Sequence, residues 1–190
     1  MGLIVILVCA MMTSVSIVRE KEVGTMEVLL VSPVRPTKII FAKMIPYFVI
    51  SCVVLIIILL LSYYLLNVPM SGGVWGIFSV SLLYVLLSLS LGLLVSIVAK
   101  TQVMALLISA MVMMMPMMLL SGMLFPIENS PKFFQVLSNI IPARWYVEAI
   151  RKMMIQGSPF LAVWKEFTIL LGMTITFLGV SLIKFNDKLE

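Results

Sequence analysis

The sequence predicts an all-α fold, a polytopic bundle of membrane-spanning helices that forms a single transmembrane domain over residues 1–190. Of the 190 residues, 63% are hydrophobic and 11% are charged, and the mean hydropathy is +1.23. Soluble domains are typically about 45–50% apolar and about 25% charged. A membrane-spanning helix needs roughly 20 apolar residues. Five apolar runs approach or exceed that length, at residues 2–18, 45–66, 74–99, 103–121 and 162–183.

The distribution of polar residues excludes several classes of function. The chain has no His, and no carboxylate lies at the centre of an apolar run, which argues against a proton relay, an intramembrane metal site or an embedded enzyme. Cys9 and Cys52 both lie in apolar runs, so packed thiols are expected and a disulfide is not. The net charge of +5 is interpreted as loop charge, with no nucleic-acid partner.

The first run, residues 2–18, is followed by Arg19 and Lys21. By the positive-inside rule this run ends in the cytoplasm. A chain that begins outside at residue 2 would be unusual, so we expect an upstream part to precede it.

Residues 19–33 form the most charged segment, within a predicted cytoplasmic coupling segment at residues 19–44. Apolar side chains at helical spacing flank a Gly24-Thr25 break, which predicts an amphipathic helix at the cytoplasmic membrane surface; a solvated linker is the alternative. Thr37 is expected to cap a short helix, and Pro46 to lie in the first turn of the next span, where its missing N–H matters least.

The later spans are predicted to pack through stripes of small residues, one in residues 74–99 and one in residues 162–183. The two stripes are Ser88, Gly92 and Ser96, and Thr168, Gly172 and Thr176. Between these spans, residues 103–121 contain Pro116, a predicted kink.

The segment at residues 122–161 contains two short amphipathic pieces, neither long enough to span. The first opens at Ser130-Pro131 and ends at Pro142, and the second covers residues 143–156 and stops at Gly157. We therefore expect an outer re-entrant helical hairpin. The polar face of the second piece should hold a Glu148–Lys152 pair, four residues apart.

Two stretches together resemble the membrane subunits of export-type (type-2) ABC transporters, and the resemblance covers essentially the whole chain. The first is the charged cytoplasmic segment at residues 19–27, with Ser32-Pro33, Pro36, Lys43 and Pro46-Tyr47 after it; Ala42 stands where the family usually has glycine. The second is residues 121–131, followed by Pro142, Arg151 and Gly157.

The resemblance implies a permease subunit of the cell (cytoplasmic) membrane that works with a second permease copy or homologue in the lipid bilayer. Separate ABC ATPase subunits at the cytoplasmic face would bind ATP and Mg, because this chain has no phosphate-binding Gly-x-x-x-x-Gly-Lys-Ser/Thr loop. The chain itself would be no enzyme and hold no cofactor. Such subunits usually have six spans and an external domain after the first, so this sequence would begin at the second span.

The resemblance also implies two groups of functional residues. The residues that couple the chain to the ATPase would be Arg19, Glu20, Glu22, Gly24, Thr25 and Glu27, with the carboxylates as docking points. The outer hairpin would depend on Gly122, Phe125, Pro126, Glu128, Pro131, Pro142, Arg151 and Gly157.

Two alternatives stay open at this point. The chain could be an ATPase-independent membrane scaffold or channel subunit. A run of methionines could supply soft thioether ligands along a Cu(I) path, or could simply pack adaptably around Pro116. The run comprises Met111, Met113, Met114, Met115, Met117 and Met118. Neither the substrate nor the choice between homodimer and heterodimer follows from the sequence.

Overall fold

The computed structural model describes residues 1–24, 36–65, 67–68, 73–121 and 131–187, and these residues form helices and no strand. Five helices within them are long and apolar enough to cross a membrane, which confirms the predicted fold class. The elements are α1 (Gly2–Glu22), α2 (Pro36–Tyr64), α3 (Val74–Val98), α4 (Gln102–Leu120), α5 (Lys132–Ser138), α6 (Pro142–Met154), a 3₁₀ helix (Phe160–Val163) and α7 (Trp164–Asp187).

Helix α3 forms the centre of the bundle. Within its most apolar stretch 78% of the residues are buried, against 50% for α1 and 22–24% for the other three long helices. It packs mainly against α1 and α7, and α1 packs in turn against α4. The outer surfaces of α2, α4 and α7 are consequently apolar and exposed, as expected of helices that face lipid or another subunit.

The small-residue stripe of α3 allows α1 to approach closely, as predicted. Ser88, Gly92 and Ser96 are all buried. A Cβ atom added at Gly92 would lie 2.7 Å from the carbonyl oxygen of Ala10 and 2.9 Å from Cβ of Thr13. Only a residue without a side chain therefore fits at this helix crossing.

The corresponding prediction for the last span is wrong within this chain. Thr168, Gly172 and Thr176 are exposed, and nothing lies within 4 Å of a Cβ built at Gly172. The buried face of α7 carries Leu170 and Thr174 instead. Two faces of an apolar helix look alike in sequence when lipid, and not water, surrounds it.

The start of the second long helix also differs from the prediction. Instead of a short helix capped by Thr37 and a span that begins near Pro46, α2 runs continuously from Pro36 to Tyr64 with Pro46 inside it. Pro36 begins the helix, where proline is well tolerated. A helix that continues through Pro46 loses one backbone hydrogen bond. A helix break close to the hydrocarbon region of the membrane would leave several backbone N–H and C=O groups without partners.

Between α4 and α7 the chain forms two short helices, as predicted. Pro142 does more than end the first: α5 stops at Ser138, and Pro142 is the first residue of α6. Gly157 has φ +65°, a left-handed conformation that follows the end of α6 and fits the predicted stop. The rest of the predicted cytoplasmic helix, residues 25–35, and residues 122–130 lie outside the described residues.

We expect Gly92→Leu to force α1 and α3 apart, because its side chain would overlap the backbone of Ala10. Overpacking of this kind costs typically about 1–3 kcal/mol. The thermal unfolding midpoint of the purified protein should fall by about 2–4 °C for each kcal/mol. Gly172→Leu, on the exposed face of α7, is the matched control and should leave the midpoint nearly unchanged. Equal midpoints for the two variants would contradict the close α1–α3 contact.

Candidate functional sites at the two ends of the bundle

At the end of the bundle predicted to be cytoplasmic, the last turn of α1 contacts two neighbouring helices through charged side chains. The carboxylate of Glu20 forms an ion pair with the ammonium group of Lys43 on α2. The Nζ of Lys21 donates a hydrogen bond of 2.6 Å to the carbonyl oxygen of Ser96, in the last turn of α3. A cation there suits both the unsatisfied carbonyls and the negative end of the helix dipole.

Lys21 thus contacts the C-terminus of α3, whereas the next residue, Glu22, contacts the N-terminus of α4. Its Oε2 accepts hydrogen bonds from the side-chain Nε2 of Gln102 at 2.7 Å and from the Gln102 backbone N–H at 3.3 Å. Gln102 begins α4, and Thr101 caps the same end by accepting a bond of 3.2 Å from the N–H of Met104. An anion is favourable at a helix N-terminus. We call the contacts of Glu20, Lys21 and Glu22 with α2, α3 and α4 the inner layer.

The structure describes four of the six residues predicted to couple the chain to the ATPase. Arg19 is exposed, whereas the carboxylates of Glu20 and Glu22 contact other helices of the same chain. Gly24 has φ +77°, so the backbone leaves α1 in a conformation that favours glycine. The remaining members, Thr25 and Glu27, lie outside the described residues. In the described part of the chain, two of the predicted docking carboxylates are therefore already engaged within the bundle.

A cavity of about 410 Å³ lies beside the inner layer, between α1, α2 and α4. Its walls are mostly apolar, and the hydroxyl groups of Ser16 and Tyr47 form a hydrogen bond at its edge. The Pro46-Tyr47 pair that carried part of the family resemblance thus joins α2 to α1. The cavity is lined by Met11, Met12, Val15, Ser16, Arg19, Tyr47, Gln102 and Leu106.

At the opposite end, α6 is anchored in the bundle by an aromatic contact. The ring of Tyr146 stacks on that of Tyr84 from α3, with the ring centroids 4.0 Å apart and the planes at 8°. The Tyr146 hydroxyl is 3.1 Å from Oγ of Ser81, and both rings are fully buried. A Cβ at Gly2 of α1 would lie 2.8 Å from the Tyr146 ring. Three helices therefore meet at this one side chain.

The joint between α5 and α6 is closed by hydrogen bonds to the end of α5. Nη1 of Arg144 donates to Oδ1 of Asn139 at 2.6 Å and also contacts the hydroxyl of Ser138. The indole N–H of Trp145 donates to the Asn139 carbonyl at 2.9 Å. Nη1 of Arg144 also donates to the carbonyl oxygen of Gln135 at 3.3 Å, so this side chain satisfies polar groups at the C-terminal end of α5.

In the far half of α6, Lys152 forms two ion pairs, of which the sequence predicts one. Nζ of Lys152 lies 3.0 Å from Oε1 of Glu148, which confirms the expected pair. It also lies 2.7 Å from Oε1 of Glu166 in the first turn of α7, and Glu166 is only 2% exposed. The hydrogen bond that Lys152 donates to Glu166 raises the pKa of Lys152 and outweighs burial, which lowers that pKa. No local spacing indicates this second contact, because 14 residues separate the partners.

Several predicted hairpin residues are placed by these elements. Pro131 precedes α5, and Arg151 is exposed beside a cavity of about 360 Å³ between α6, the first turn of α1 and the end of α2. Four residues of the predicted hairpin set lie outside the described residues: Gly122, Phe125, Pro126 and Glu128.

The methionine run of α4 is divided between two faces of the helix. Met113 and Met117 are buried, whereas Met111, Met114 and Met115 are 65%, 48% and 66% exposed. The buried pair packs within the bundle, and the exposed three face outward. Both interpretations of the run stay predictions.

Reversing one charge of the inner layer should weaken the bundle. Glu20→Lys would place two ammonium groups together where Lys43 now has a carboxylate, so the thermal unfolding midpoint should fall by several degrees. The double variant Glu20→Lys/Lys43→Glu should recover at least half of that loss. Arg19→Gln, at the neighbouring exposed position, is the control. A double variant no more stable than Glu20→Lys would contradict a direct pairing of the two side chains.

Comparison with known proteins finds one matching family and several relatives. The family described as "ABC-2 family transporter protein" matches residues 1–183. "Probable multidrug ABC transporter permease YbhS" of Escherichia coli K12 is 29% identical over 188 residues, covering 99% of this chain and 50% of that protein. "Probable multidrug ABC transporter permease YbhR" of the same organism is 31% identical over 176 residues, covering 93% and 48%. No solved structure matches.

A eukaryotic protein is similar as well. "ABC transporter G family member 20" of Dictyostelium discoideum is 30% identical over 178 residues, or 93% of this chain and 24% of that protein. The chain spans about half the length of the bacterial relatives. The match over residues 1–183 and the five apolar helices together lead to one conclusion: the chain is a multi-pass membrane protein that belongs to the ABC-2 family of transporter proteins.

Proposed function

We propose that this chain is the permease part of an ABC exporter in the cytoplasmic membrane and moves a substrate outward. The observation that carries the proposal is the family match over residues 1–183. Two bacterial relatives are named multidrug permeases, which favours a drug-like, amphiphilic substrate. Another, YhhJ of Escherichia coli, is named an inner membrane transport permease, which favours the same membrane here.

The energy would come from ABC ATPase subunits that bind ATP and Mg and dock at the cytoplasmic face. The 190 residues themselves contain no phosphate-binding Gly-x-x-x-x-Gly-Lys-Ser/Thr loop. A second permease copy or a homologue would complete the translocation path. The exposed apolar side chains of α2 and α4 would face lipid and such a partner.

The inner layer suggests how movement of the ATPase would reach the spans. The ATPase would displace the segment between Gly24 and Pro36, which joins the end of α1 to the start of α2. Because Glu20, Lys21 and Glu22 link α1 to three other helices, α1 would carry the displacement to α2, α3 and α4 as a unit. Coupling between distant sites requires an element with two arrangements that both sites bias, and α1 with its inner layer is the proposed element.

Disrupting the cytoplasmic segment should release the ATPase. We expect Gly24→Pro, which cannot adopt the observed φ of +77°, and Glu27→Lys to remove the ATPase from the chain. The measurement is vanadate-sensitive ATP hydrolysis that co-purifies with the tagged full-length protein from native membranes. Lys132→Glu, a charge reversal at the opposite end, is the control and should retain full hydrolysis.

Two results would count against the proposal. Unchanged hydrolysis in both cytoplasmic variants would contradict the coupling role of this segment. Wild-type protein that co-purifies with no ATPase at all would instead favour the ATPase-independent scaffold or channel.

A further inference from the structure

Helix α6 is attached to the membrane spans by a buried face and by an ion pair. Tyr146, near its start, lies in a fully buried aromatic contact with Tyr84 of α3. Lys152, six residues and therefore about 9 Å further along the helix, contacts Glu166 of α7. The first contact has little reason to break, since separating it exposes two large aromatic rings. The second contact is ionic, and Met153 beside it is buried in the core of the bundle.

The two residues of the ion pair differ in burial and in the number of charged groups near them. The side chain of Glu166 is 3% exposed, and its Oε2 has no hydrogen-bond partner among the described residues. The side chain of Lys152 is 31% exposed and has a second carboxylate, Glu148, within 3.0 Å. Lys152 can therefore leave Glu166 and keep a partner, whereas Glu166 cannot replace Lys152 from within its pocket. Such a buried carboxylate without its cation is strongly destabilised.

The other nearby cation does not substitute for Lys152. Lys165 precedes Glu166 directly, but its Nζ lies over the ring of Trp145, 6.0 Å from the centroid. The ionic contact between the far half of α6 and α7 consequently depends on Lys152 and Glu166.

We infer that Glu166 is a positioning residue for transport: through Lys152 it latches the far half of α6 onto α7, and release of this latch lets α6 pivot about the Tyr146–Tyr84 contact. The role in transport rests on the proposed function. The pivot would open the outer end beside the cavity of about 360 Å³, whose lining includes Met154 of α6.

Accessibility of Met154 tests the latch directly. Met154 is 3% exposed, so Met154→Cys, made with Cys9→Ser and Cys52→Ser in the full-length complex without ATP, should react slowly with a membrane-impermeant methanethiosulfonate added from outside. Glu166→Gln and Lys152→Met should each speed the reaction about tenfold, the factor that corresponds to about 1.4 kcal/mol. The double variant Lys152→Met/Glu166→Gln removes both charges, should speed the reaction to the same extent, and keeps the test valid if either single variant fails to fold.

Two matched variants separate the latch from a general effect of charge. Glu148→Gln removes the other carboxylate that contacts Lys152 and should leave the labelling slow. Lys152→Arg keeps a cation and should also stay slow. An unchanged rate in Lys152→Met, or a Glu148→Gln rate as fast as that of Lys152→Met, would overturn the latch.

Adding ATP to the same preparations separates the latch from the proposed function. ATP should speed labelling of the protein with an intact latch and have little effect on Lys152→Met, which is already open. A complex that hydrolyses ATP without any change in the labelling rate would overturn the role of the latch in transport. A preparation without ATP hydrolysis would contradict the proposed function, while the labelling rates measured without ATP would still decide the latch itself.

Discussion

The arrangement of the spans depends on how two helix ends at the α3–α4 turn are satisfied. A helix leaves carbonyl groups without partners at its C-terminus and N–H groups at its N-terminus. The short turn places one end of each kind side by side, and consecutive residues of α1 match both: Lys21 donates to the carbonyl of Ser96, and Glu22 accepts from Gln102. Their opposite charges also suit the two ends of the helix dipoles. This pairing fixes α1 against α3 and α4 together.

The fixed end explains the packing deeper in the bundle. With α1 held at the turn, its middle lies against the one position of α3 that has no side chain, Gly92, where the backbone of Ala10 comes closest. The opposite end is organised differently. There the amphipathic helix α6 lies among α1, α3 and α7 through Tyr146 and Lys152. One end of the bundle is thus bound by a layer of polar and charged contacts, and the other by a buried face of α6 together with one ion pair.

Particular residues show how far sequence reasoning reached. Glu148 and Lys152 were predicted as a pair because residues four apart share a helix face, and the structure has that contact. The small-residue stripe was right on α3 and wrong on α7, since packing depends on which face meets a neighbour. Glu20 and Glu22 were predicted as docking points, yet their carboxylates contact Lys43 and Gln102.

The sequence by itself determined that this is an α-helical membrane protein with five candidate spans and two short helices before the last one, because hydrophobic length and helical spacing are local properties of the chain. Only the tertiary structure decided the partners of its charges. Lys21 meets Ser96 across 75 positions of sequence, and Lys152 meets Glu166 across 14. Such pairs form because packing brings helices together, and packing depends on the whole bundle at once.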